Sequence, residues 1–74
     1  MSNILKVEAI IGRRIAGEMA MNDINQAHVA EILHISQPTL SQKISGRIRF
    51  SAQEIAILSD LFDVSADFLL GKSD

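Results

Sequence analysis

Gln37, Ser41, Gln42 and Ser45 fall close together at spacings that put them, with Pro38, on one face of a helix. The polar groups on that face are amides and hydroxyls, and none is an acid. Such side chains match the edges of bases: a Gln amide grips adenine through two bonds, and a Ser hydroxyl donates or accepts. Pro38 has neither group and offers only shape or contact with a thymine methyl. Thr39 and Lys43 flank the face, and Arg47 and Arg49 follow it; hydroxyls and cations are the chemistry of phosphate contacts. From Ser36 to Phe50 there are three cations and no acid, although the whole 74-residue chain has a net charge of −2. From Ser51 onward only Lys72 is positive, against Glu54, Asp60, Asp63, Asp67 and Asp74. A basic segment set in an acidic chain is an electrostatic footprint for nucleic acid. A polar helix face taken alone is more often merely solvated, so the frame around it has to decide.

That frame reads as helices throughout, with no strand-like alternation. Ser2 or Asn3 caps a first helix reaching about Met21, whose stripe is Ile4, Val7, Ile11, Ile15 and Met19, widened by Ile10. Asn22 and Asp23 break it. Asn25 caps a second helix, Gln26 to Leu33, with Val29, Ala30 and Leu33 inward. Ser36 caps a third, Gln37-Pro38 opens it, Leu40 and Ile44 face inward, and Gly46 ends it. Ser51-Ala52-Gln53-Glu54 fits a capping box for a fourth helix that buries Ile55, Leu58, Leu61 and Phe62. After Asp63-Val64, Ser65 caps a last helix carrying Phe68 and Leu69, stopped by Gly71. The expectation is one all-α, compact five-helix domain over residues 1–74, with a helix-turn-helix at 26–45. Two short helices joined by three residues must cross steeply, and small Ala30 lets the second approach the third.

Other chemistries find little support. There is no Cys, hence no disulfide framework or thiolate metal site. No apolar run reaches the roughly 18 residues of a membrane span, and the N-terminus lacks signal-peptide features, so the reading is cytoplasmic. His28 and His34 are too far apart in register to pair on a metal. No nucleophile elbow, phosphate loop or metal motif is present, and an enzyme is not expected. A chain this short should hold no deep pocket, and nothing implies a cofactor or small-molecule ligand. Arg13 and Arg14 read as solvated, and Met19 and Met21 as core and edge filling.

The sequence resembles the phage repressor and Cro-like helix-turn-helix proteins, the xenobiotic-response-element type, from about Ile11 to Gly71. The resemblance rests on Ile24-Asn25-Gln26, Ala30, the stretch Ile35-Ser36-Gln37-Pro38-Thr39-Leu40-Ser41, Gly46, Phe62-Asp63-Val64-Ser65 and Leu69-Leu70-Gly71. Glu18-Met19-Ala20 and Gly46-Arg47-Ile48-Arg49-Phe50 look like members from actinobacteria and their temperate phages. The resemblance implies a lambda-repressor-like fold and a sequence-specific transcriptional regulator of double-stranded DNA, of the repressor kind. It implies base contacts from Gln37, Ser41 and Gln42, joined by Pro38 and Ser45 on the same face. Gln26, Thr39, Lys43, Arg47 and Arg49 would hold the DNA backbone. Such proteins bind two half-sites about 34 Å apart as homodimers. This chain would then be a short Cro-like protein or the N-terminal part of a longer repressor. The rival is an interaction module on the same fold, an antitoxin or adaptor, whose acidic half would suit a basic partner. Two departures stand out: His34 takes the turn position where the family usually has Gly, and Lys43 falls where many members carry an apolar or aromatic residue.

Overall fold

The computed structural model describes residues 3–72, with side chains described from Val7 to Lys72. It contains α1 (Asn3–Met21), α2 (Gln26–Leu33), α3 (Gln37–Ile44), α4 (Ala52–Phe62) and α5 (Ala66–Leu69). The expected capping by Ser2 or Asn3 and the burial of Ile4 lie outside the described residues. α1 is the backbone of the assembly: α3, α4 and α5 all pack against it, while α2 rests on α3. None of the described helices is long and apolar enough to cross a membrane.

Every described helix terminates by the same device. A left-handed residue stands one or two places beyond the helix, and backbone bonds run from it and its neighbour back into the last turn. In three cases that residue is not glycine: Asp23, His34 and Asp63, at φ 56°, 59° and 56°. Each is followed by an apolar residue and then by the Asn or Ser that caps the next helix: Ile24-Asn25, Ile35-Ser36 and Val64-Ser65. The apolar residue's amide donates to Met19, Ala30 and Ser59 carbonyls respectively, at 2.9–3.0 Å. The three apolar side chains pack on the core. Connections of this kind, three or four residues long, satisfy both helix ends and turn the chain without a loop. α3 and α5 instead stop at Gly46 and Gly71, with φ 91° and 78°.

The core is Ile11, Ile15, Met19, Val29, Ala30, Leu33, Leu40, Phe50, Ile55, Leu58, Phe62 and Leu69. The expected stripes hold for most of their length, but the N-terminal half of α1 departs from them. Val7 is 42% exposed and Ile10 37%. The apolar period runs on past the elements that could cover it. Phe50, in the segment after α3, is a core residue that helical periodicity could not reveal. α1 and α3 meet closely at Gly12, where a β-carbon would overlap the Ile44 carbonyl oxygen. Only a residue without one lets α1 seat against the end of α3.

Candidate nucleic-acid interface

α2 and α3 are eight-residue helices joined by His34-Ile35-Ser36. Asn25 Oδ1 accepts from the His28 amide at 2.9 Å, which fixes the start of α2 and leaves half-buried Gln26 in its first turn. That turn carries amides without intrahelical partners. At the start of α3, Ser36 Oγ accepts from the Thr39 amide at 3.2 Å and donates to Thr39 Oγ1 at 2.8 Å. Thr39 is half-buried and tied into the cap. Pro38 occupies the first turn, where its missing N–H leaves nothing unpaired.

The two sides of α3 differ sharply. Leu40, fully buried, and Ile44, half-buried, face inward as expected. Gln37, Pro38, Ser41, Gln42 and Ser45 are all exposed. Among the described residues no side-chain hydrogen bond engages Gln37, Ser41 or Gln42. The Ser45 hydroxyl donates to the Gln42 carbonyl at 3.0 Å, so its proton is committed to its own helix.

Lys43, expected beside the outer face as a contact to the DNA backbone, is turned inward. It is 8% exposed, and its ammonium donates to Glu54 Oε1 at 2.7 Å and to the Arg49 carbonyl at 3.2 Å. The ammonium also lies 5.8 Å from the centre of the Phe50 ring. Glu54 completes the capping box of α4, accepting the Ser51 amide at 2.9 Å while Ser51 Oγ accepts the Glu54 amide. Burial alone would push the Glu54 carboxyl up. The Lys43 ammonium and the Ser51 amide and hydroxyl outweigh it and hold the carboxyl below its ordinary value. Lys43 therefore pins the segment after α3 to the start of α4. Its neutralised charge leaves Arg47 and Arg49 as the exposed cations of residues 36–50. Arg49, with 69% of its side chain exposed, stands 3.9 Å from Glu8 Oε2. A pair at that distance, with the cation so exposed, restrains Arg49 little.

Arg14 also departs from the solvated reading. Its guanidinium donates to the Phe68 carbonyl at 3.2 Å and lies 4.5 Å from the centre of that residue's ring, anchoring α5 on α1. Arg13 is exposed. Glu18 on α1 is buried, with Asn22 Nδ2 3.5 Å from Oε1. Nothing in the spacing of α1 singles out either Arg14 or Glu18.

A helix-turn-helix family model matches residues 18–69 of the chain, from the last turn of α1 to the end of α5. No curated protein matches it significantly.

Proposed function

The chain belongs to the Cro- and C1-type helix-turn-helix family, whose members bind DNA by sequence, and we propose that it is a transcriptional repressor of the phage or prophage type. In this reading α3 enters the major groove of a double-stranded operator, and two copies occupy paired half-sites. Gln37, Ser41 and Gln42 meet base edges, with Pro38 and Ser45 shaping the fit. Gln26, Thr39, Arg47 and Arg49 hold phosphates, while Lys43 positions the segment that carries the two arginines. The observation that carries the proposal is the outer face of α3, whose amide and hydroxyl groups are exposed, free of acid and mostly uncommitted.

Selection of binding sites from random duplexes, followed by titration of variants on the selected site, tests it. Gln42→Ala is expected to weaken the cognate site by about 1–3 kcal/mol and relax one base position. Arg47→Ala is expected to weaken all sequences alike and lower the salt slope by about one. Unchanged affinity and preference in Gln42→Ala would remove that residue from the reading surface.

A further inference from the structure

On the side of α1 where Glu8 lies, a groove of about 450 Å³ opens between the N-terminal half of α1, the start of α4 and the start of α5. One wall is Val7, Glu8 and Ile11, successive residues of one α1 face. The groove exists because Ala52, Ala56 and Ala66 present only methyl groups where larger side chains would fill the space. Its volume lies in the range of small-molecule sites, although it is an open groove rather than a deep pocket.

Its one acid is unusual. Glu8 keeps 12% of its side chain exposed, yet Oε1 is fully buried and has no hydrogen-bond partner. Oε2 stands 3.9 Å from the mostly exposed head of Arg49, beyond hydrogen-bonding distance. A buried acceptor with no donor is a rarity in a folded chain and is destabilising until a donor reaches it. Elsewhere in this molecule the buried charged groups Lys43 and Glu54 satisfy each other.

We infer that this groove binds a small organic cation: a primary amine on a hydrocarbon or aromatic body. The Glu8 carboxylate turns about its last bond to present an oxygen to the groove and accepts from the ammonium, and the body lies against Val7, Ile11, Phe50 and Ile55. Amine rather than alcohol is required because a charged donor makes the stronger bond to a carboxylate. The apolar part supplies area, and the three alanines supply room. This site takes in none of the outer face of α3, although Arg49, a proposed phosphate contact, stands on its rim.

The test uses the whole chain, isotope-labelled, titrated with 4-phenylbutylamine and with 4-phenylbutanol while amide shifts are followed by NMR. The amine should shift amides of residues 7–11, 50–56 and 66–70 saturably, and the alcohol should bind about tenfold more weakly. Glu8→Gln, close in shape, should abolish the preference for the amine and leave the shared apolar affinity. Ala56→Leu should fill the groove and remove both responses. The inference is overturned if the amine gives no saturable shift, if amine and alcohol bind alike, or if Glu8→Gln keeps the preference. It is also overturned if sedimentation shows a second copy of the chain already occupying this face.

Discussion

The outer and inner sides of α3 both carry polar groups, and those groups do opposite work. Outside, the side chains of Gln37, Ser41 and Gln42 spend none of their hydrogen-bonding capacity on the described residues. Inside, Lys43 spends two bonds on it, one to Glu54 at 2.7 Å and one to the Arg49 carbonyl. A cation count along the sequence treats Lys43, Arg47 and Arg49 as equals. The fold does not, because a helix turns its third residue from Leu40 inward. The lesson is that the basic segment contains its own positioning device, and that this device is distinct from the surface it positions.

The most severe way to disturb the inner side is at Gly12. Gly12→Ala places a methyl on the Ile44 carbonyl oxygen, and a backbone atom cannot turn aside as a flexible side chain would. We expect a loss of about 3 kcal/mol or more by urea denaturation, from strain and displacement of α1. The same change at Gly17 meets nothing within 4 Å. A Gly12→Ala protein as stable as the parent would mean α1 is not seated on α3 as described.

Lys43→Met sharpens the comparison, because it separates a positioning cation from a phosphate contact. The stem's packing survives, but Glu54 loses its cationic partner and keeps only the Ser51 amide. Both side chains retain some exposure, so the expected loss is about 2–3 kcal/mol, below that of a fully buried pair. The salt slope of DNA binding should stay unchanged. A slope lowered by about one, with stability intact, would put Lys43 on phosphate instead.

How much of this was open to the sequence follows from the range of each interaction. Asn25, Ser36, Ser51 and Ser65 cap amides three residues away, so type and spacing suffice to find them. The outer face of α3 follows from helical period in the same way. The Lys43–Glu54 bond joins residues of two helices, and its existence depends on how those helices pack. Gly12 reads as a weak point in a helix until its neighbour is known. The stripe on α1 predicted burial of Val7 and Ile10 because periodicity describes one helix and says nothing of what covers it.

Acid separates the two sides by another route. Because the folded protein holds the Glu54 carboxyl below its ordinary value of 4.5, folding favours its ionised form. That share of stability is complete above the ordinary value and is lost as pH falls below it toward the folded-state value. Urea melts between pH 7 and 3 should show this decline, and Glu54→Gln should flatten part of it. An unchanged slope in Glu54→Gln would show that other carboxylates govern acid unfolding.

The smallest expected effect concerns the turn that joins α2 to the helix bearing both sides. His34 is left-handed at φ 59° and ψ 41°, as the family's glycine at this turn suggested. A side chain in that region costs roughly 1–2 kcal/mol, although His accepts it better than most residues. His34→Gly removes the strain but frees the unfolded chain by about 0.5–1 kcal/mol relative to a residue with a β-carbon. His34 is exposed, so little packing is lost with the imidazole. The balance is a gain of at most about 1 kcal/mol. Asp63 stands at nearly the same backbone angles, and Asp63→Gly offers an internal control far from α3. If strain alone matters, both variants gain similarly and DNA affinity does not move. A His34→Gly protein that is clearly less stable, while Asp63→Gly gains, would show that the imidazole stabilises the turn through contacts rather than merely tolerating its geometry.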